Sequence, residues 1–268
     1  LINWLLHITE TERLGEYVIS VNITYYNEPH LLAWWYDTFR TFYEQGVDVE
    51  LNIADDGSLR QPAKSFFDKK VPMPNMRLFR VLKDIGFNSH GARNLLMKQT
   101  RTEWNMLSDI DRKYPESTFA NIIKKELNNE LKRGTYYPFC NIKKSNDVSI
   151  NEYVVSKADF WRMGGYDEEF VNIHWGDRLF LEGLSRINQR CITPEWKVKY
   201  VRGARDVSYS AEVTTTQYPD DNTLICPIND WTIEEKRKAL IKMVRERNKN
   251  PEARRVKKVI NFEWEQVF

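Results

Sequence analysis

Short apolar runs and amphipathic stretches alternate along the first 110 residues. Tyr17-Val18-Ile19-Ser20-Val21-Asn22-Ile23-Thr24 is rich in β-branched residues and reads as a buried first strand. Tyr25-Tyr26-Asn27-Glu28-Pro29 breaks it. A helix is predicted from about His30 to Gln45, stopped by Gly46. Val47 to Ala54 forms a second strand and runs into Asp55-Asp56-Gly57-Ser58, where Asp and Gly suit a tight turn. Pro62 to Lys70 reads as a short helix, followed by a loop at Pro72 and Pro74. Met76 to Leu82 is a third strand. Asn88 is expected to cap a helix that continues to about Gln99. Trp104 to Ser108 is a fourth strand and ends on Asp109-Ile110-Asp111. This strand–helix alternation predicts an α/β fold with a mainly parallel open sheet flanked by helices, Rossmann-like in character.

The pattern is less regular beyond this point. Ser117 to Lys132 reads as a helix closed by Gly134. Strands are expected over Thr135 to Ile142 and Asn151 to Ser156. A short helix near Lys157 to Met163 leads into Gly164-Gly165-Tyr166-Asp167. Another helix begins near Gly176, and Val198 to Val201 returns to the sheet. Thr214 to Asn222 is polar and loop-like. Trp231 to Asn248 reads as a basic helix, followed by Arg254-Arg255-Val256-Lys257-Lys258. The chain thus divides into an N-terminal arm (1–15), a first half (16–113), a second half (114–210) and a basic helical C-terminal extension (211–268) packed on the same domain. No internal repeat is evident.

Length and composition narrow the class. A chain of 268 residues with 29% charged and 41% hydrophobic residues can build a sizeable core and is not disordered. The net charge of +2 gives no general argument for a nucleic-acid partner. Locally, the basic stretch from Lys236 to Lys258 could track a phosphate backbone, although a solvated helix face is its commoner use. Cys140, Cys191 and Cys226 are widely separated and fit neither a zinc site nor a disulfide framework, so a reducing cytoplasm is the default expectation. No run approaches the roughly 20 apolar residues of a transmembrane segment. Leu1 to Leu6 is too short for a signal peptide and reads as an amphipathic arm.

The candidate chemistry is acidic. Carboxylates at strand ends lie on the rim where open α/β sheets take ligands. Asp109 and Asp111, one residue apart, could share Mg²⁺ or Mn²⁺, which favour oxygen ligands and often use only one or two protein carboxylates. Asp55 or Asp56 could accept hydrogen bonds from a base or a ribose. Asp177, at the start of a helix beside Trp175, could take a proton from an attacking hydroxyl. Arg93 could contact phosphate or orient Asp109 or Asp111. Each has a plainer alternative: solvated loop acids, an ordinary Asp-Gly turn, a helix cap beside a core Trp, and a solvent-facing arginine.

Taken in order, these elements are specific: first-strand loop, Asp55-Asp56, the Ala92-Arg93-Asn94 helix, Asp109-x-Asp111, Gly164-Gly165-Tyr166-Asp167 and Trp175-Gly176-Asp177. From about Tyr17 to Val201 the chain resembles the GT-A glycosyltransferases, most closely the inverting family 2 enzymes. The resemblance implies that Thr24, Tyr25, Asn27 and Glu28 form the first donor-binding loop and that Asp55 or Asp56 holds base and ribose. It also implies that Arg93, Asn94 and Asp109 serve the donor and that Asp109 and Asp111 bind the metal. Gly165, Tyr166, His174 and Trp175 would line the acceptor side, and Asp177 would be the base. Three departures stand out. Arg112 and Lys113 follow Asp-x-Asp where a further acid is common. The last histidine, His174, precedes the place of a late metal ligand, leaving Asp206 or a water for that role. Arg178 replaces a second acid after Trp-Gly-Asp.

The expected reaction is metal-dependent, inverting transfer of a sugar from a nucleotide-sugar, a UDP-sugar by family resemblance, to an acceptor hydroxyl of a glycan or another molecule. A modified base in DNA is an alternative acceptor. A nucleotidyltransferase on a related fold is the competing enzyme class, although no Gly-rich phosphate loop ending in Lys is present near the first strand. A non-catalytic module on the same fold is the third reading, and retention of the four acidic positions argues against it.

Overall fold

The computed structural model describes residues 17–86, 88–142, 144–168, 176–201, 249 and 259–268. Four parallel strands form the centre of one sheet, in the order β3 (Met76–Val81), β2 (Val49–Asp55), β1 (Ile19–Tyr25) and β4 (Trp104–Asp109). Helices α1 (Pro29–Glu44), α2 (Ala63–Phe67) and α3 (Ser89–Gln99) make the connections. Beyond β4 the sheet turns antiparallel. The long β7 (Lys144–Ser156) pairs with β4 and with β6 (Thr135–Asn141). β9 (Lys197–Tyr200) lies parallel to β6 and pairs antiparallel with the two-residue β5 (Arg112–Lys113). The short β8 (Gln189–Arg190) also pairs with β6. The expected mainly parallel sheet is therefore parallel at its centre and antiparallel toward the second half. That change of direction turns β7 back toward the end of β4.

Both faces of the central strands are buried, as a parallel sheet requires. Ile19, Val21 and Ile23 of β1 pack under α1, α2 and α4 (Glu116–Leu127), with Trp35, Phe39, Phe67 and Phe119. The opposite face carries a polar ladder instead of a continuous apolar one. Asn22 bridges to Asn52 and Asn105, at 3.1 and 3.0 Å. Glu50, fully buried, is held by Ser20 at 2.6 Å, Asn52 at 3.0 Å and Arg77 at 3.0 Å. Every member has a partner, which is the condition for burying such groups without a large penalty. Farther along that face, α5 (Lys157–Arg162) and α6 (Gly176–Ile187) close a second core around Tyr153, Phe160, Tyr166 and Phe180.

Several boundaries differ from expectation for local reasons. α4 ends at Leu127, not Lys132, because Asn129 adopts φ of 55° and reverses the chain. Asn88 occupies the N-cap position of α3, but its side chain makes no capping bond. Residues 259–268 return to the sheet: β10 (Trp264–Gln266) pairs antiparallel with the edge strand β3, and Phe268 packs 4.8 Å from Phe67. The N-terminal arm, the loop at 214–222 and the basic helix 231–248 lie outside the described residues. Among the described residues, no helix is long and apolar enough to cross a membrane.

Candidate active site

The register of the sheet brings the acidic clusters together. Thr24 of β1 faces Asp109 of β4, and Tyr25 faces Asp55 of β2. Both aspartates therefore stand at the carboxyl ends of the strands that flank β1.

The loops on the β1–β2 side are tied by their own side chains. Asn27 takes a φ of 52°, a left-handed conformation that Asn tolerates better than most residues. There its side-chain oxygen accepts the backbone N–H groups of Arg60 and Gln61, and its own N–H donates to Ser58 Oγ at 2.9 Å. The Tyr25 ring is in the core, and its hydroxyl donates to the Gln61 carbonyl at 2.5 Å. Asp55 accepts from the N–H groups of Ser58 and Ala63, at 2.9 and 2.8 Å, and Asp56 accepts from Asn88 N at 2.8 Å. Burial raises both carboxyl groups above the ordinary value, Asp56 strongly. Asp55 thus shapes the loop, while Asp56 links it to α3. Gly57 has φ of 76° and lies against the backbone of Asp84, leaving no space for a Cβ. Thr24 and Glu28 are half-buried on the same rim, with Glu28 3.4 Å from His30.

On the β4 side, Arg93 is the organising residue. It is 1% exposed, which excludes the solvent-facing alternative. Its Nη2 donates to Asp109 Oδ1 at 2.5 Å, and its Nη1 donates to Asp177 Oδ1 and, at 3.1 Å, to Tyr166 Oη. One guanidinium therefore joins the end of β4 to the start of α6. Burial pushes the Asp177 carboxyl up, but Arg93, followed by His90, pushes it further down, so it lies below 3.8 and is ionised at neutral pH. Ile110, between the two acids of Asp-x-Asp, is buried in the core, and its carbonyl accepts from Trp35 Nε1 at 3.0 Å. That anchor fixes the turn carrying Asp109 and Asp111.

Asn94 locks the Gly-Gly-Tyr-Asp segment to α3. It donates to the Tyr166 carbonyl and to Glu168, both at 2.9 Å, and accepts from Tyr166 N at 2.8 Å. Gly165 has φ of 73°, and a Cβ there would meet Asn94 Oδ1. Tyr166 is buried behind Arg93, stacked on Phe180 at 4.4 Å, with its hydroxyl 2.6 Å from that of Tyr153. Its place is that of a support for Arg93. His174, Trp175 and Asp206 lie outside the described residues.

Several neighbours did not stand out in the sequence. Asn151 and Glu152 arrive on β7: Asn151 donates to Asp109 Oδ2 at 3.0 Å, and Glu152 lies 2.8 Å from Arg112 Nε. Burial, then the charge of Asp109, raises the Glu152 carboxyl to about 7 against the opposing pull of Arg112. His90 is fully buried with Nε2 3.7 Å from Asp177 Oδ2. The signal for His90 was its spacing, one helical turn before Arg93 on the same face. No local pattern marks Glu152. Arg112, noted as a departure after Asp-x-Asp, donates to Asp111 Oδ1 at 2.5 Å and to Asp109 Oδ2 at 3.3 Å. Four carboxyl groups, Asp109, Asp111, Glu152 and Asp177, thus face two guanidinium groups.

Gly176 lies on the His90 ring, where an added Cβ would overlap Nε2, Cε1 and Cδ2. Gly176→Ala is expected to cost about 1–3 kcal/mol by overpacking and to displace Asp177. Urea unfolding would measure the first effect and turnover the second.

No protein-family model matches the chain, and no curated protein matches its sequence. Solved structures do match. The mannosyltransferase PcManGT of Pyrobaculum calidifontis, in complex with GDP-Man and Mn²⁺, aligns with a TM-score of 0.55 at 14% identity, over 94% of this chain and 78% of that one. S. aureus TarS 1–349 in complex with UDP aligns with a TM-score of 0.51 at 14% identity, over 85% and 71%. A second structure of S. aureus TarS 1–349 gives a TM-score of 0.53 at 13% identity, over 88% and 87%. The chain has a glycosyltransferase fold, in agreement with the expectation from motif order.

Proposed function

We propose that this chain transfers a sugar from a nucleotide-sugar, with a UDP-sugar favoured, to an acceptor hydroxyl, with inversion at the anomeric carbon. One observation carries the reading. On a glycosyltransferase fold, a single buried guanidinium joins Asp109, at the end of β4, to Asp177, at the start of α6. The acid expected at the diphosphate and the acid expected to receive the acceptor proton are therefore neighbours. The ordered loops around Asn27, Asp55 and Asp56 supply the rim for base and ribose.

Asp109 and Asp111 suit a hard divalent cation in donor chemistry: two carboxylates, one residue apart, within a cluster where acids outnumber guanidinium groups. Among the described residues, no group of three or more His, Cys, Asp or Glu side chains is assembled as a closed metal cage. Two carboxylates plus substrate phosphates is the arrangement Mg²⁺ commonly takes. When bound, Mn²⁺ or Mg²⁺ would neutralise charge that develops on the leaving diphosphate.

The protein's own residues account for the proton and the geometry. Asp177 is ionised and accepts the proton of the acceptor hydroxyl. Arg93 fixes its position and weakens it as a base, which suits late transfer, when the attacking oxygen has already become acidic. Tyr166, Tyr153 and Asn94 hold Arg93 and the Gly-Gly-Tyr-Asp segment from behind. The acceptor is a hydroxyl compound such as a glycan, with a modified base in DNA as the alternative; the basic stretch 236–258 lies outside the described residues except Lys249.

A thermal-shift screen of UDP- and GDP-sugars with Mn²⁺ tests the reading directly. A true donor at 100 times its Kd should add roughly 2.7 kcal/mol of stability. EDTA is expected to abolish both the donor-dependent shift and transfer, and Mn²⁺ or Mg²⁺ to restore them. Full transfer in chelator would remove the metal from the mechanism.

A further inference from the structure

Arg112 holds an unusual place. Its fork spans both acids of Asp-x-Asp, with Nη1 on Asp111 and Nη2 on Asp109. Its Nε lies 2.8 Å from Glu152, and its guanidinium sits 4.5 Å over the Tyr200 ring. The β5–β9 pairing fixes this stack, since Arg112 and Tyr200 face each other in register. Asp109 is occupied on both oxygens, Oδ1 by Arg93 and Oδ2 by Arg112.

We propose that Arg112 is a built-in competitor for the cation seat: its guanidinium holds Asp109 and Asp111 in the free protein and makes divalent-cation binding conditional on a nucleotide diphosphate. This rests on the donor-binding role assigned above. A cation bridging the two acids through Asp109 Oδ2 and Asp111 Oδ1 would take the oxygens that the Arg112 fork holds, so the two compete. In the free protein, displacement breaks two charge-assisted hydrogen bonds in a largely buried place. With a diphosphate on the rim, the displaced fork gains phosphate oxygens, which guanidinium groups bind well. The guanidinium is a rigid plane, so releasing its fork also turns Nε away from Glu152, while Arg112 stays anchored on β5 opposite Tyr200. Cation and nucleotide then bind with positive coupling, and the coupling is reciprocal.

The test measures Mn²⁺ affinity by electron paramagnetic resonance of the free ion, which needs no turnover. Wild type, Arg112→Gln and Arg112→Lys are each titrated alone, with UDP and with GDP. Wild type should bind Mn²⁺ weakly alone and at least tenfold more tightly with one of the nucleotides. Arg112→Gln should bind Mn²⁺ alone at least tenfold more tightly than wild type, with most of the nucleotide coupling lost. Arg112→Lys, which keeps the charge without the fork, should fall between them. It also carries the test if the Gln variant fails to fold by circular dichroism. Equal Mn²⁺ affinity in wild type and a folded Arg112 variant, with nucleotide coupling intact, overturns the role of Arg112 alone. No Mn²⁺ binding by any protein, with or without UDP or GDP, overturns the metal reading and this inference with it.

Discussion

Asp177→Asn is expected to lower kcat by about 10²–10⁴-fold, the usual cost of losing a positioned base. The change is nearly isosteric, and Arg93 keeps Asp109 and Tyr166 as partners. Among the described residues, Asp177 is held by Arg93 and His90 of α3 and not by the donor-side loops built on β1, β2 and β3. Nucleotide affinity should therefore stay within a few-fold of wild type, and the loss should fall on kcat rather than on donor KM. Single-turnover transfer and UDP or GDP titration, run on the same preparations, separate the two. Near-wild-type turnover would remove Asp177 from the chemistry. Loss of nucleotide binding in parallel with turnover would make it a structural residue.

That prediction relies on a juxtaposition only partly visible in the sequence. The central strands were legible because their signals are local: β-branched runs ended by Asp, Asn or Gly, and amphipathic helices between them. Asp55, Asp109 and Asp111 followed directly, since parallel strands bring their carboxyl ends to one rim. Asp177 was legible only through motif order, because 68 residues separate it from Asp109 and no periodicity links them. Glu152 and Asn151 were not legible at all. They reach the site because β7 runs antiparallel to β4, and strand direction is a property of the partner strand rather than of the segment. The two-residue strands β5 and β8 were missed for the same reason: so short a strand is defined by what it pairs with. Tyr25 and Tyr166 illustrate the converse. The motif order suggests that they lie near ligands, but both rings are buried in the core, with the Tyr25 hydroxyl on the Gln61 carbonyl and the Tyr166 hydroxyl accepting from Arg93.

Arg93→Ala is the substitution with the largest expected effect on the fold itself. Arg93 is buried between Asp109 and Asp177, whose side chains are only 12% and 15% exposed. Removing the guanidinium takes from Asp177 its main partner and leaves Asp109 held by Arg112 alone among the cations. Breaking a buried ion pair by deleting one partner typically costs about 3–5 kcal/mol. The loss should depend on pH in a defined direction. In the wild-type protein Asp177 lies below 3.8, so its pairing contributes stability above that value and loses it as pH falls through the folded value. In the variant, Asp109 keeps Arg112 and Asn151 but Asp177 loses its guanidinium, and proton uptake is the way it relieves that loss. The stability gap between wild type and Arg93→Ala should therefore be widest near pH 7 and narrow on acidification. Arg93→Lys, which keeps the charge but cannot fork across both acids, should lose less at every pH. Urea unfolding midpoints measured from pH 4 to pH 8 provide the check. A gap below about 1 kcal/mol at neutral pH, well under the cost of a broken buried pair, or one that grows toward acid, would mean that Arg93 does not hold the two aspartates in solution.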